Sequence, residues 1–221
     1  MTKADPHQTF LNYGVLVTEL HYSIGGILIS HRATHDKIHE MLTIKWYDPK
    51  SDRWDNKQRM KELGGSIMSY QKFLMLNSIT SVANFLESFH ALIKCTTGQK
   101  LNIWDSRSNK LPHITDARMA HALSNVIKHN QAIIQRSSST SARYLVDFCG
   151  IQDGIPVELA PIDIESLLFK MFVFGNAVIQ KVTKYSGPLH PTSKARLRNI
   201  FEALVPDITQ LNEQGPRPSR K

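Results

Sequence analysis

Apolar residues recur at spacings of three, four and seven along most of this chain, and that spacing limits the possible folds more than any other feature. The run from Ile79 to Ile93 follows it closely. Such spacing places apolar side chains along one side of an α-helix. The same pattern predicts further helices over Val15–Ile44, Met60–Phe73, Ala117–Arg136, Ile162–Tyr185 and Thr192–Leu204.

Residues 144–159 depart from the helical pattern. Two apolar arms, 144–150 and 155–159, flank Asp153-Gly154, a dipeptide typical of tight hairpin turns. Pro156 has no backbone N–H, which restricts the second arm to the edge of a sheet. The sequence therefore predicts an all-α fold, mostly a helical bundle, with a small β-hairpin near residues 144–159. We expect one helical domain over residues 1–211 and a basic flexible tail over 212–221.

Local signals mark several helix ends. Gly98 suits the C-terminal cap of the helix that contains Ile93, because glycine adopts the left-handed backbone conformation easily. Thr115 or Asp116 is expected to cap the helix that starts near Ala117, and Asp163 or an adjacent residue is expected to cap the next long helix. The serine-rich run 137–141 is interpreted as a helix exit and loop, with an array of phosphorylation sites as the alternative.

The chain carries an excess of positive charge. Its 27 lysine and arginine residues against 19 aspartate and glutamate residues give a formal net charge of +8, which favours an anionic partner such as RNA or a nucleotide. The two cysteines, Cys95 and Cys149, are too few for a disulfide scaffold or a four-cysteine zinc site. No apolar run approaches the ~18 residues of a membrane span, and no secretion signal is recognisable, so a cytoplasmic protein without a membrane segment is expected.

Three histidines, His31, His35 and His39, are spaced four residues apart on the first predicted helix. Neighbouring imidazoles at this spacing can reach one metal ion from one helix face. No cysteine or further histidine with suitable spacing supplies the remaining ligands. We therefore interpret the row as partly buried, hydrogen-bonded side chains or a solvated helix end, and expect neither a metal site nor a cofactor.

The helix predicted over residues 117–136 carries a polar stripe. At about 100° per residue, Arg118, Asn125 and His129 lie within about 40° of one another, with His121 and Lys128 beside them. A histidine near a ribose 2′-hydroxyl can transfer a proton, an asparagine can hold the hydroxyl or phosphate, and a cation can stabilise charge that develops on the phosphate. A solvated helix face or a polar layer between helices is the alternative interpretation.

The segment Asn-Val-Ile-Lys-His-Asn at 125–130 resembles the signature of the HEPN superfamily, in which an arginine, a polar residue, three further residues and a histidine follow one another. The helical segment 81–89 before it and residues 145–147 after it also fit. The resemblance implies a compact helical domain that forms a homodimer. In active members it implies a metal-independent endoribonuclease of toxin–antitoxin, abortive-infection or CRISPR antiviral defence systems, with one composite site formed by two copies of the signature.

On this resemblance His129 matches the catalytic histidine and Asn125 the polar position. The expected RNA-binding residues are Arg118, His121, Lys128 and Asn130.

Ser124 stands where the signature places its arginine. Loss of a cation beside the reacting phosphate typically costs on the order of a hundredfold or more in rate. Arg118 shares the helix face but lies about 16 Å from His129 along the axis, too far to replace that arginine within one chain. Across an antiparallel helix pair, Arg118 or Lys128 of one copy could approach His129 of another.

Three functions are compatible with these observations. The first is a HEPN-like protein acting on RNA, a candidate metal-independent endoribonuclease of a defence or toxin type, with an antitoxin or another defence protein as its expected partner. The second is a catalytically degenerate HEPN-like module that binds RNA, a nucleotide or a protein. The third is a helical interaction protein whose match to the signature is a coincidence.

Overall fold

A computed structural model describes residues 6–99, 102 and 110–184. Within them lie five α-helices, two short strands and a 3₁₀ helix (Val157–Leu159). The helices are α1 (Pro6–Leu42), α2 (Arg53–Thr97), α3 (Ile114–His129), α4 (Thr140–Asp147) and α5 (Ile164–Thr183), and the strands are β1 (Ile133–Ile134) and β2 (Ile155–Pro156). None of these described helices combines the length and apolar character needed to cross a membrane.

Buried apolar side chains from all five helices belong to one continuous core. Helix α1 contributes a stripe with a spacing of four, and α2 contributes the run recognised in the sequence. Burial of each large apolar side chain stabilises the fold by about 1.5–3 kcal/mol. The fully or almost fully buried members include Leu16, Leu20, Ile24 and Leu28 of α1 and Val82, Leu86, Phe89 and Ile93 of α2.

Helices α1 and α5 approach each other closely at Gly175. A Cβ atom added to Gly175 would lie 2.5 Å from Cδ1 of Leu20, which is fully buried. Real carbon atoms do not approach so closely in a packed interior, so any side chain at position 175 would displace Leu20. The absence of a side chain at this position therefore sets the distance between the two helices.

The segments Met60–Phe73 and Ile79–Ile93, predicted as separate helical regions, form one continuous helix, α2. Its two ends are capped by local groups. The Asp52 side chain accepts a hydrogen bond from the backbone N–H of Asp55, and Gly98 adopts a left-handed conformation (φ 67°) and donates its N–H to the Lys94 carbonyl. The predicted glycine cap is thus confirmed.

The fold class is confirmed: the described chain is mostly helical with one small antiparallel β element. The first arm of that element was predicted wrongly. Ile133 pairs with Pro156 and Ile134 with Ile155, whereas residues 144–147 belong to α4. The turn at Gly154 is present, with φ 79° and its N–H donated to the Ile134 carbonyl at 2.7 Å.

Helix α4 forms because its cap and its packing both favour it. Ser139 Oγ accepts the backbone N–H of Ala142 at 3.1 Å, which starts the helix. Ala142 and Leu145, three residues apart, are both fully buried against the core. Tertiary packing on this face outweighs the strand-like composition of the segment, since β propensity depends strongly on context.

Helix α3 differs from its predicted bounds at both ends. It starts at Ile114 after His113, which has a positive φ of 57° and provides no side-chain cap, so neither Thr115 nor Asp116 is the cap. Asp116 instead contacts Lys170 of α5 at 2.7 Å. The helix ends at His129, because Gln131 and Ala132 take left-handed conformations (φ 52° and 58°).

Helix α5 begins as predicted, with the Asp163 side chain accepting the N–H of Ser166 at 3.1 Å. It ends at Thr183. The predicted helix Thr192–Leu204 and the basic tail 212–221 lie outside the described residues.

Helices α1 and α5 are also joined by an ion pair between Arg32 and Glu165. Arg32 Nε lies 2.8 Å from Glu165 Oε1, and a second guanidinium nitrogen lies 3.0 Å from Oε2. This hydrogen bonding lowers the pKa of Glu165, as do the charges of Arg32, His31 and His35. Both side chains are partly exposed, so we expect a stabilisation of about 1 kcal/mol or less.

We predict that Arg32→Gln raises the Glu165 pKa towards its ordinary value and makes the protein less stable at neutral pH. Because the pKa is depressed in the folded state, this stabilisation is present above the unfolded-state pKa and is lost as the pH falls through the folded-state pKa. As the pH falls through the folded-state pKa of Glu165, the difference in melting temperature between wild type and Arg32→Gln should therefore become smaller. An NMR titration of the Glu165 carboxyl measures the shift directly, and an unchanged pKa in the variant would contradict the prediction.

Candidate nucleic-acid interface

Helix α3 lies between α2 and α4, and its outward face carries the polar stripe predicted from the sequence. Its inward side is apolar and includes Ala117, Ala120 and Leu123, all fully buried. Arg118, His121 and Asn125 are partly exposed, whereas Lys128 and His129 at the end of the helix are exposed. The structure thus places all five stripe residues on one accessible face, where α2 and α4 flank them.

The α4 side of the stripe holds Arg118 and Asn125. Arg118 Cζ lies 4.8 Å from the centre of the Tyr144 ring, a cation–π contact. Asn125 Nδ2 donates to Ser141 Oγ at 3.3 Å. These contacts join α3 to α4 through two of the predicted site residues.

The α2 side of the stripe holds His121 and Lys128. His121 Nε2 lies 3.4 Å from Glu87 Oε1, and Lys128 Nζ makes a long hydrogen bond of 3.5 Å to Asn84 Oδ1. Both contacts are made by polar side chains at the surface, where such pairs contribute little energy. Lys128 can therefore exchange Asn84 for an anionic ligand at small cost.

The end of α3 is fixed by the serine-rich run. Asn130 Nδ2 donates to Ser138 Oγ at 2.7 Å and to Ser139 Oγ at 3.0 Å, and Ser139 also caps α4. The start of the run is a loop, as predicted, but the run leads into α4 and is not the exit of a helix, because α3 already ends at His129. Asn130, predicted to bind RNA, thus holds the loop beside His129 in place, and its backbone carbonyl oxygen accepts the N–H of Ile133 at 3.0 Å.

His129 is the last residue of α3 and is exposed. Among the described residues, no hydrogen bond or ion pair involves its imidazole. The side chain is therefore accessible to a ligand, with Asn125 one turn before it and Asn130 directly after it. An imidazole in this position can accept or donate a proton without first breaking an internal contact.

Ser124 points the other way, into the core. It is only 1% exposed, and its Oγ has no hydrogen-bond partner within the described part of the chain. Ser124 follows the fully buried Ala117 by seven residues and the fully buried Ala120 by four, so all three lie on one helix face. The helical period of the sequence therefore already indicated that Ser124 is buried. Within one chain, a side chain at position 124, where the signature places its arginine, therefore points away from the surface on which His129 is exposed.

Sequence reasoning missed two aromatic residues next to the stripe, Tyr144 and Phe148. Tyr144 is partly buried, whereas Phe148 is 78% exposed. They were missed because residues 144–150 were interpreted as a strand, which would separate them from α3. Tyr144 belongs to α4 and Phe148 is the C-terminal cap of that helix, so the two side chains are one turn apart and lie on the same face.

The histidine row lies elsewhere, in a cleft of about 410 Å³ that is lined mostly by residues of α1 and α2, together with Glu158 and Ile164. His31 is partly buried, with Nδ1 3.0 Å from Ser78 Oγ, and burial lowers its pKa. The rings of His35 and His39 are 4.5 Å apart, and both side chains are exposed. In the described ranges, no group of three or more histidine, cysteine, aspartate or glutamate side chains is arranged to hold a metal ion.

In comparisons with known proteins, no family model, no curated protein and no solved structure matches the chain. The resemblance to the HEPN signature therefore rests on residues 125–130 and their helical setting.

Proposed function

We propose that this chain is a HEPN-like module that acts on RNA, with His129 and Asn125 at a site completed by a second copy of the chain. The observation that carries the proposal is the exposed His129 at the end of α3, on the same face as Arg118, Asn125 and Lys128. The net charge of +8 supports an anionic ligand.

The reaction that this arrangement suits is attack of a ribose 2′-oxygen on the adjacent phosphorus. An imidazole removes the 2′-hydroxyl proton, and the bond from phosphorus to the 5′-oxygen breaks as that oxygen takes a proton. The products are a 2′,3′-cyclic phosphate and a 5′-hydroxyl end. In a dimer, His129 of one copy can serve as the base and His129 of the other as the acid, so the reaction needs no metal ion or cofactor.

A second copy is part of the proposal because one chain lacks the arginine that the signature places beside the reacting phosphate. Ser124 is uncharged and buried, and Arg118 lies against Tyr144, about 16 Å from His129 along α3. Arg118 or Lys128 of a second copy would supply the charge that stabilises the transition state. By the same resemblance, we place the protein in a toxin or antiviral defence setting, with an antitoxin or another defence protein as partner.

A second candidate function is RNA binding without cleavage. The burial of Ser124 favours this second candidate, because the position at which the signature places its arginine is uncharged and turned into the core. The exposed basic and aromatic side chains of α3 and α4 would still hold RNA in such a degenerate module.

The test is incubation of the purified protein with labelled RNA in the presence of EDTA. We expect cleavage with cyclic phosphate ends, and weaker binding as salt rises, because lysine and arginine contacts to phosphates release counterions. Binding without cleavage would support the second candidate, cleavage abolished by EDTA would contradict the mechanism, and no binding at low salt would contradict both. Full activity in both Arg118→Gln and Lys128→Gln would contradict the proposed role of these two cations.

A further inference from the structure

Phe148 is the most exposed large apolar side chain among the described residues, at 78%. Its position is nevertheless well defined, because it is the C-terminal cap of α4 and its backbone N–H donates to the Tyr144 carbonyl at 3.0 Å. A single exposed phenylalanine is common and needs no explanation by itself. What sets this one apart is the set of groups beside it.

Phe148 is stacked on Tyr144, and Tyr144 is in turn in contact with Arg118. The two aromatic rings have centroids 5.6 Å apart with an angle of 24° between their planes. Arg118 Cζ lies 4.8 Å from the Tyr144 ring centre. A guanidinium and two rings thus form one continuous group, which is anchored in the core at Tyr144 and open to solvent at Phe148.

The surroundings of this group suit a polyanion. Arg143 of α4 is exposed, and Arg118, Asn125 and His129 continue along the stripe of α3. Arg136 is the exception, because Asp147 binds its guanidinium at 2.7 and 3.1 Å and offsets its charge. Aromatic faces next to arginine side chains are the usual components of single-stranded nucleic-acid sites.

We propose that Phe148, supported by Tyr144 and Arg118, is a stacking platform for an unpaired base, so that the ligand of the α3–α4 face is single-stranded RNA. This inference rests on the proposed function and specifies its substrate class. A base inside a duplex is covered on both faces by its neighbours and cannot stack on Phe148. An unpaired base can stack on Phe148, while the backbone of the same strand continues along α3 towards His129.

The experiment uses single-stranded RNA that contains 2-aminopurine, whose fluorescence falls when the base stacks. Wild type is expected to quench the probe and to bind single-stranded RNA more tightly than a duplex of the same sequence. Phe148→Ala should weaken single-strand affinity about 5- to 150-fold and abolish the quenching, because each base–aromatic stack contributes on that scale. Phe148→Trp should preserve both properties.

Phe73→Ala is the matched control, since Phe73 is also exposed, at 57%, but lies on α2. It should bind and quench like wild type. If wild type binds RNA and Phe148→Ala binds it equally well, the platform is wrong while the proposed function stands. Equal wild-type affinity for duplex and single strand, or a loss of dimer in Phe148→Ala without a loss of RNA affinity, also overturns the platform. If wild type binds no RNA, both proposals fail.

Discussion

Replacing His129 with alanine is expected to lower the rate of RNA cleavage at least 100-fold in the presence of EDTA. A positioned general acid or base typically contributes about 10²–10⁴ in rate, and in a symmetric dimer the substitution removes both the base and the acid. The side chain is exposed and has no polar contact among the described residues, so the variant should fold and melt like wild type. Initial rates on a fluorescently labelled RNA, together with melting curves, measure both properties.

The matched control is His39→Ala, which removes another exposed histidine, in the cleft between α1 and α2. It should leave the cleavage rate unchanged. RNA affinity should also change little in His129→Ala, since its proposed role is proton transfer rather than binding. A wild-type rate in His129→Ala would show that the site has been assigned to the wrong residue.

Restoring the signature arginine with Ser124→Arg is expected to destabilise the protein by about 3 kcal/mol or more and to give no gain in cleavage. Ser124 is 1% exposed and packed against the core. A guanidinium there would be removed from water, and a buried charge without a partner costs several kcal/mol. Denaturant unfolding of the variant measures the loss.

Ser124→Ala should have the opposite effect on stability and raise it by about 1 kcal/mol. The substitution removes a buried hydroxyl that has no partner in the described chain, and alanine has a higher helix propensity than serine. If Ser124→Arg were instead as stable as wild type and cleaved RNA faster, position 124 would face the reactive site in the assembled protein. That outcome would contradict the orientation described for α3.

The histidine row and the polar stripe show how far residue types can be interpreted before the fold is known. Spacing alone placed Arg118, Asn125 and His129 on one face of a helix, and α3 has them there. Spacing could not tell that Asn125 and Asn130 donate to the serine-rich run, because their partners are up to sixteen residues away in the sequence. Nor could it tell that His31 contacts Ser78, which belongs to another helix.

The sequence by itself determined the helical class, the Gly98 and Asp163 caps and the outward face of α3. Each depends on periodicity or on groups within a few residues of one another, and such local effects act before the chain is packed. Tertiary structure alone decided that residues 144–147 are helical and that Tyr144 and Phe148 lie beside Arg118. Burial of Ala142 and Leu145 in a core built by distant helices outweighs the local strand propensity of that segment.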